Sequence, residues 1–308
     1  MYMKMTSERF LKLADHLRVG TNFESLVVEV GDGSGDKDGG LNCAGIGNDS
    51  QVLMQADFDK VYFEEVVGEE TFVWNSEKIL RYAGFLKEEA TVMLTTEGEN
   101  IILESFDKEG NRVQRIAMPM VPKEAAKNYL NALPGKFREA EGSKYPDIPL
   151  IHVKRGQYDI RVKVDSTILQ KIVKRALEFN QYHFPISFAE GILNIQSGAH
   201  MDRATDSYDR NIAVLDHEAW GEKKSIDVKC GPSFLHVLQV VSGEIYMDLG
   251  TDTPIWLTTR EISEEKKARL YQVHYFVVPR IYEEKEVKEA GGEAEAAEDE
   301  AEPIELDV

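Results

Sequence analysis

The sequence has few of the features that mark membrane, secreted or metal-binding proteins. In 308 residues it has only two cysteines, Cys43 and Cys230, which lie far apart and outside any Cys-x-x-Cys spacing. Such a pair supplies neither a disulfide framework nor a zinc site. No apolar run approaches the roughly 20 residues that a membrane-spanning helix needs, and residues 1–10 lack the apolar core of a secretory signal. We therefore expect an intracellular protein that has no membrane partner and needs no metal or other cofactor.

Positive charge is also in short supply, since 36 Lys and Arg residues face 55 Asp and Glu residues for a formal net charge of −19. Residues 283–308 contribute about half of this excess, with twelve acidic residues and two lysines. The same segment is rich in Glu, Ala and Gly and has almost no bulky apolar side chains, a composition typical of disorder. We predict a disordered acidic tail attached to a less acidic folded region.

No catalytic motif stands out. Segment 31–40 is rich in Gly and Asp, but no helix pattern follows it, as a phosphate-binding loop requires. It also has Lys37 where a calcium loop needs Gly, and Cys43 where such a loop needs Glu. A hairpin loop is the preferred interpretation. Since no Ser-His-Asp or Cys-His set can be argued from spacing, we predict no enzymatic activity.

An internal repeat organises the chain. Residues 76–104 have the pattern of a short amphipathic helix followed by two strands around a tight turn, and residues 231–257 repeat it. Another helix candidate precedes each copy, at Ser7–Val19 and at Ser166–Phe179, and strand-like alternation follows each of them. Each half is therefore predicted as helix, strands, helix, strands.

This repeat predicts an α+β protein with two similar domains, separated by a Pro-rich connector that breaks the repeat. A short helix starting at Pro122 is expected inside the connector. The predicted boundaries are 1–120 for the N-terminal domain, 121–157 for the long connector, 158–282 for the C-terminal domain and 283–308 for the tail.

Cations cluster on the polar faces of three of the four predicted helices, at spacings that place them on one side. They are Arg9, Lys12 and His16 on the first helix, Lys78 and Arg81 on the second, and Lys171, Lys174 and Arg175 on the third. The fourth helix offers only His236 and Gln239. On one helix such residues commonly do no more than solvate it. On repeat-equivalent helices of so acidic a chain they indicate a positive surface for phosphates.

Several segments resemble the DNA sliding clamps of the proliferating cell nuclear antigen (PCNA) family. Residues 77–84, Glu-Lys-Ile-Leu-Arg-Tyr-Ala-Gly, are similar to an inner helix of those clamps. Residues 275–284, Tyr-Phe-Val-Val-Pro-Arg-Ile-Tyr-Glu-Glu, resemble their C-terminal strand. Further matches are Gly40–Asn42, Arg161–Val164 and Asp252–Ile255. The resemblance extends over roughly residues 7 to 284, and the order and spacing of the segments are more specific than any one of them.

The resemblance implies a ring of three subunits, with helices lining a hole for duplex DNA and sheets outside. Its implied partners are DNA polymerase, a clamp loader and other proteins with a clamp-binding motif. The implied DNA-facing residues are Lys12, Lys78, Arg81, Lys171 and Lys174, with Arg9, His16 and Arg175 as further candidates. The matching positions of the fourth helix, His236, Gln239 and Val240, lack a cation.

The resemblance also implies a pocket for partner peptides beneath the connector. Its implied walls are Ile46, Val52, Pro254, Val278 and Pro279, with Leu130 or Leu133 as a lid. Subunit contacts in this family pair edge strands, which would place Arg112–Met120 against Met201–Ile212. Because the latter segment is largely polar, a weak ring and a heteromeric ring both stay open. So do a clamp-fold scaffold and a monomeric processivity factor. The expected location is on DNA, in the nucleoid or the nucleus according to the host.

Overall fold

The computed structural model describes residues 1–278, apart from 19–24, 35–38, 48–50, 87–88, 126–136, 139–142, 146, 152–157, 179–183, 198–207, 221–224, 251–252 and 266. The predicted tail, 283–308, therefore lies outside the described residues, as does most of the connector.

The described chain contains four α-helices and twenty strands. The helices are α1 (Ser7–His16), α2 (Ser76–Ala83), α3 (Ser166–Glu178) and α4 (Pro232–Val240). The strands of the N-terminal half are β1 (Tyr2–Thr6), β2 (Ser25–Gly31), β3 (Gly40–Ile46), β4 (Val52–Asp59), β5 (Glu65–Val67), β6 (Glu70–Asn75), β7 (Thr91–Glu97), β8 (Asn100–Phe106) and β9 (Arg112–Pro119). The connector contains β10 (Phe137–Arg138) and β11 (Leu150–Ile151). The strands of the C-terminal half are β12 (Ile160–Asp165), β13 (Phe184–Ala189), β14 (Ile192–Ser197), β15 (Tyr208–Ala213), β16 (Asp216–Ala219), β17 (Ser225–Cys230), β18 (Glu244–Leu249), β19 (Ile255–Ile262) and β20 (Arg269–Val277).

The element order confirms the internal repeat. In each half a strand, a helix, five strands, a second helix and three strands follow one another, so that β1 to β9 correspond one by one to β12 to β20. Each half supplies one five-stranded and one four-stranded antiparallel layer. The last strand, β20, pairs with β4 of the N-terminal half, which joins two of these layers into a nine-stranded sheet. Its order is β16-β12-β18-β19-β20-β4-β3-β2-β6.

The two remaining sheets are β5-β1-β7-β8-β9 and β15-β14-β13-β17, and the short β10 and β11 pair with each other. Helices α1 and α2 pack as one pair and α3 and α4 as another. The main core lies between these pairs and the sheets. The predicted α+β class with two similar domains is confirmed. Within the described residues, no helix combines the length and the apolar character needed to cross a membrane.

Side chains at the strand-to-helix junctions fix where three of the helices begin. Thr6 accepts a hydrogen bond from the Arg9 N–H (3.3 Å) and Asn75 accepts one from the Lys78 N–H (2.9 Å). Asp165 likewise accepts one from the Ile168 N–H (3.0 Å). Each bond satisfies a backbone donor that has no partner inside the helix. Helix α4 begins instead with a proline at its first turn, where no N–H is needed.

The Gly-rich segment joins β2 and β3, which pair as a hairpin with Gly31 opposite Gly40. The hairpin interpretation is therefore confirmed. Gly40 has φ +141°, and a Cβ there would lie 2.1 Å from the Phe58 carbonyl oxygen, so only glycine fits. The Asp32 carboxylate accepts hydrogen bonds from the Ser34 and Gly68 N–H groups, both at 2.9 Å, and thus has a structural role in the loop.

Candidate DNA-facing and partner-docking surfaces

Two opposite surfaces of the molecule carry its distinctive chemistry. We call the surface covered by α1 to α4 the helix side, and the opposite face of the nine-stranded sheet the outer face. Among the described residues, no group of three or more His, Cys, Asp or Glu side chains is placed to hold a metal ion.

Helices α2 and α3 present their cations to solvent on the helix side. Lys78 on α2 is exposed, and Arg81 is 67% exposed while it pairs with Glu77 one turn earlier (3.3 Å). Such a solvated pair leaves the guanidinium accessible. The α3 cations Lys171, Lys174 and Arg175 are exposed as well. These five cations are exposed, and their contact with DNA stays a prediction.

Helix α1 contributes less positive charge to this surface. The Lys12 ammonium pairs with the Glu261 carboxylate of β19 and lies 5.4 Å from the centre of the Tyr271 ring. Arg9 donates to the Tyr62 carbonyl oxygen, and its guanidinium lies 5.5 Å from the centre of that ring. Both side chains are half-buried. Their charges are engaged by the protein, and the Lys12 charge is neutralised.

His16 is not part of the exposed surface, and the expectation that it faces outward with Lys12 is wrong. The ring is fully buried, with Nδ1 3.0 Å from the Tyr275 hydroxyl and Nε2 3.3 Å from the Ser242 hydroxyl. Burial and, to a smaller extent, the Lys12 charge together lower its pKa to about 3. The reason is that α1 packs against β20 as well as its own half, so its buried arc is wider than its apolar stripe.

Helix α4 carries no cation. Gln239 is exposed, while His236 and Val240 are half-buried on its remaining surface. The two helix pairs therefore differ in charge distribution: in one pair both helices carry cations, and in the other α3 carries them all.

The outer face carries a continuous apolar row that crosses the joint between the halves. Ile46, Leu53, Phe276 and Trp256 lie directly opposite one another on β3, β4, β20 and β19. Directly opposed residues of antiparallel strands share a face, so their side chains are adjacent. We call these four residues the apolar row. Tyr158 and the half-buried Trp220 pack against it.

The sequence-predicted pocket residues relate to this row in different ways. Ile46 belongs to it, whereas Val52 is fully buried in the main core on the helix side. Successive strand residues point to opposite faces, so Leu53 takes the outward place. Pro254 and Val278 are half-buried near the end of the row. The predicted residues Leu130, Leu133 and Pro279 lie outside the described residues.

Sequence reasoning missed Leu53, Phe276 and Trp256. The alternation of side chains along a strand could have found them, because each lies an even number of residues from one that is recognisably on the outer face. That signal is weak at the row itself, because the segments Val52–Met54 of β4 and Tyr275–Val277 of β20 are apolar and buried on both faces, although polar and apolar residues alternate along the rest of each strand.

Beyond Trp256 the same row continues as a buried ionic row. Asp248 lies opposite Trp256, Arg161 opposite Asp248, and Glu218 opposite Arg161. Arg161 is fully buried and donates two parallel hydrogen bonds to Asp248, from Nε (2.6 Å) and from Nη2 (2.8 Å). Burial raises the pKa of Asp248, and the bonds from Arg161 oppose that shift.

The ionic row anchors the far end of the connector. Arg161 donates to the carbonyl oxygens of Ile148 (2.9 Å) and Pro149 (3.1 Å). Glu218 accepts from the Ser143 hydroxyl (2.5 Å) and the Lys144 N–H (2.7 Å). These groups complete the hydrogen bonding of charges that burial would otherwise leave unsatisfied.

The near end of the connector is held on the other half. Val121 packs on the outer-face cluster of Val27, Ala44 and Val73. The connector therefore begins over the N-terminal half and ends over the C-terminal half, next to the apolar row on the outer face.

In the part of the chain that the structure describes, six strands lie at the edges of the three larger sheets, namely β5, β9, β16, β6, β15 and β17, and two of these, β9 and β15, correspond to the strands that join the halves. Within the described residues, β9 pairs only with β8, and β15 pairs only with β14. In the repeat, β9 is the counterpart of β20 and β15 is the counterpart of β4. The two free edges are thus the counterparts of the two strands that join the halves, and they lie in the segments that the sequence predicts for subunit contacts.

Comparison with known proteins identifies the fold. Neither a family model nor a curated protein matches this sequence. Solved structures do match it. The PCNA of Thermococcus kodakaraensis has a TM-score of 0.65 at 15% identity, over 91% of this chain and 99% of that chain. The PCNA2–PCNA3 complex of Sulfolobus tokodaii has 0.66 at 13%, over 91% and 99%. The A. fulgidus PCNA, bound to the C-terminal region of FEN-1, has 0.64 at 13%, over 92% and 99%. The chain therefore has the clamp fold of PCNA.

Proposed function

We propose that this protein is a non-enzymatic DNA sliding clamp, a ring that encircles duplex DNA and tethers DNA polymerase and other replication and repair proteins. The observation that carries the proposal is the pair of free edges. One chain exposes the counterparts of both strands that its own halves use to join, so head-to-tail pairing of β9 with β15 would repeat the internal joint between subunits. The likeness to PCNA supports a closed ring of three subunits.

In this ring the helix side faces the DNA. Lys78, Arg81, Lys171, Lys174 and Arg175 would contact phosphates, while Lys12 and Arg9 contribute less because the protein engages their charges. Phosphate contacts carry no sequence information and exchange readily, which suits movement along the duplex. Persistence on DNA then comes from the closed ring, and processivity comes from the high effective concentration of a tethered polymerase.

Partner proteins would dock on the outer face. Most of the apolar row is covered within the chain, since Trp256 is fully buried and Leu53 and Phe276 are each 8% exposed. A short peptide with apolar anchors would therefore use the half-buried residues at its margin, Ile46, Pro254 and Val278. One structurally similar protein, the A. fulgidus PCNA, has the C-terminal region of FEN-1 bound. We propose the same class of site here, with Ile46, Pro254 and Val278 among its walls and the Leu130 to Leu133 segment as its lid. A clamp loader and DNA polymerase would use it.

The test combines light scattering with retention on DNA. A ring should have the mass of an oligomer, stay on nicked circular DNA after loading, and slide off linear DNA with free ends. A protein that is monomeric at micromolar concentration and equally retained on both DNA forms would overturn the clamp, in favour of a monomeric processivity factor or a clamp-fold scaffold.

A further inference from the structure

The described chain ends beside helix α4. The Val278 N–H donates to the Gln51 carbonyl oxygen (2.9 Å), and the side-chain oxygen of Gln51 accepts a hydrogen bond from the Ser233 hydroxyl (3.1 Å). Ser233 lies in the first turn of α4. Residues 279–308 therefore follow a point that lies next to the N-terminal end of α4, at the border of the helix side.

The cations of α3 lie close to the same end of α4. Gln170, in the first half of α3, donates to the carbonyl oxygen of Val241, which directly follows α4 (2.6 Å). Because the start of one helix meets the end of the other, the packed pair is antiparallel. Lys174 and Arg175, in the second half of α3, therefore lie toward the N-terminal end of α4, with the usual spacing of about 10 Å between the two helix axes.

This helix pair has positive charge that the described part of the chain does not neutralise. Lys171, Lys174 and Arg175 are exposed, and their side chains form no ion pair or hydrogen bond with another described residue. Helix α3 has one acidic residue, Glu178, and α4 has no Lys, Arg, Asp or Glu. The α3 cations are thus available to an anionic partner.

The segment that follows Val278 has the opposite charge and enough length to reach α3. Residues 283–308 contain twelve acidic residues and two lysines, and residues 293–302 consist of six acidic residues and four alanines. An extended chain spans at most about 3.5 Å per residue, so residues 279–292 can bridge up to about 50 Å. That is more than the width of a helix pair, about 20 Å.

We infer that residues 293–302 dock on Lys171, Lys174 and Arg175 of their own chain, in the places that DNA phosphates would take, so that duplex DNA has to displace them. The displacement by DNA rests on the proposed clamp function, whereas the docking depends only on the charges. Carboxylates accept the same charge-assisted hydrogen bonds from Lys and Arg as phosphates do. Each such contact is weak at an exposed site, but the tether supplies an effective concentration in the millimolar range.

The α3 surface is a better target for this segment than α2. Lys78 and Arg81 of α2 belong to the other half of the chain, and Arg81 is already paired with Glu77. The contacts exchange easily, because salt screens exposed charges. A duplex that passes through the proposed ring offers a continuous array of phosphates and displaces the segment, whereas a brief encounter with DNA outside the ring does not. The segment would therefore favour binding by encirclement over binding by charge alone.

Carbodiimide cross-linking tests the contact directly, since it joins a carboxylate to an amine only when the two touch. In the full-length protein, peptide mass spectrometry should find amide links from residues 293–302 to Lys171 and Lys174 at about 50 mM salt, and far fewer at about 500 mM. Lys108 and Lys267 are the reference lysines, because both are exposed and lie in the β8–β9 and β19–β20 turns. Mixing isotope-labelled and unlabelled chains shows whether a link lies within one chain. Links that form equally at the reference lysines, or mainly between chains, would overturn the docking.

Duplex binding tests the competition. In a full-length neutral-tail variant the six acidic residues are replaced by their amides, as Glu293→Gln, Glu295→Gln, Glu298→Gln, Asp299→Asn, Glu300→Gln and Glu302→Gln. This variant should bind linear duplex about tenfold more tightly than the wild type at about 50 mM salt. In the background Lys171→Gln/Lys174→Gln/Arg175→Gln the gain should fall to about twofold or less, and in the background Lys78→Gln it should stay near tenfold. Simple repulsion between the tail and DNA predicts the same gain in every background, and that result would overturn the inference.

The two measurements also separate this inference from the proposed function. Cross-linking to α3 needs no DNA. If the links form but the protein is retained equally on circular and linear DNA, the docked segment stands and the clamp function is overturned. If the protein is retained on circular DNA alone, with no preferred links to α3 and the same gain in every background, the clamp stands and the docking is overturned.

Discussion

The internal joint between β20 and β4 and the free edges of β9 and β15 have the same place in the fold but differ in chemistry. In the internal joint, Tyr275 lies opposite Met54 and Val273 opposite Ala56, and all four are buried. When residues are matched outward by strand pairing from the equivalent helix starts, Gln114 and Arg210 at the free edges correspond to Val273 and Ala56. Strand β9 is exposed along most of its length. The same strand arrangement is therefore combined with buried apolar residues in the internal joint and with exposed polar residues at the free edges. The halves of a chain never have to separate, whereas the proposed ring would have to open to admit DNA.

The largest expected effect comes from placing a charge in each joint. Val273→Asp buries an unpaired carboxylate, so we expect it to lower the free energy of unfolding by about 4 kcal/mol. Its counterpart Gln114→Asp lies at an exposed edge and should change that free energy by about 0.5 kcal/mol or less. Urea denaturation of both variants measures the difference. Equal losses would mean that the two joints do not differ as described.

The next effect concerns the ionic row, which only one half has. Because Thr6 and Asp165 cap equivalent helices, Tyr2 is the counterpart of Arg161, and their strand partners Thr95 and Asp248 correspond as well. Arg161→Met leaves Asp248 and Glu218 buried without their cation, and we expect a loss of about 3 kcal/mol. The control Thr95→Val should cost well under about 1 kcal/mol. Hydrogen exchange should also rise at residues 143–149 in Arg161→Met. Unchanged protection there would show that the row does not anchor the connector.

Acidification should destabilise the internal joint but not the free edges, because the internal joint contains the buried His274. Burial lowers the pKa of His274 from 6.5 to about 3, with charge effects of Arg269 and Arg161 adding to it. The unfolded chain then binds more protons, so the contribution is full above pH 6.5 and is lost as the pH falls toward 3. At pH 5.5 the loss is about 1.4 kcal/mol. His16 behaves in the same way.

The matched variants for this effect are His274→Gln and Arg115→Gln, since the same matching by strand pairing makes Arg115 the counterpart of His274. Urea titrations at pH 7.5 and 5.5 should show a smaller decrease for His274→Gln than for the wild type, by about 1.4 kcal/mol. Arg115→Gln should retain the wild-type decrease. An identical decrease in His274→Gln and the wild type would mean that His274 is not the buried neutral group described.

The smallest expected effect compares α3 with α1 on the helix side. Each phosphate contact that is lost should reduce the slope of log affinity against log salt by about 0.9. Lys171→Gln/Lys174→Gln should therefore reduce the slope by up to about 1.8, while Lys12→Gln should leave it nearly unchanged because Glu261 already neutralises Lys12. Duplex binding at several salt concentrations provides the measurement. If Lys12→Gln reduced the slope more than the α3 double variant, Lys12 and not the α3 cations would make the main phosphate contacts.

The sequence predicts what depends on local periodicity. Ser7 and Ser166 begin helices as expected, and the repeat, the hairpin at Gly40 and the exposure of the α3 cations all follow from spacing. Contacts between distant residues were not predictable in this way. Lys12 meets Glu261 across 249 positions and Arg161 meets Asp248 across 87, and no local pattern encodes such pairs.

The sequence also did not predict on which face of a strand some residues lie. Where a strand is buried on both faces, hydrophobicity cannot tell which residues face outward, so Val52 was assigned to the pocket and Leu53 was not. Similarly, the apolar stripe of α1 could not reveal that a second surface, β20, covers His16. Both failures arise where the two halves meet, because residues there contact the other half of the chain, which the pattern within one repeat does not reveal.

The central claim is that β9 and β15 close a ring around DNA, and cutting a loaded circle tests it most directly. The protein is loaded onto a nicked circular plasmid, freed from unbound protein, and followed after a restriction enzyme linearises the DNA. A closed ring should remain on the uncut circle and leave soon after the cut, at salt concentrations that remove proteins held only by charge. Equal retention before and after the cut would contradict encirclement and assign binding to the positive surface alone.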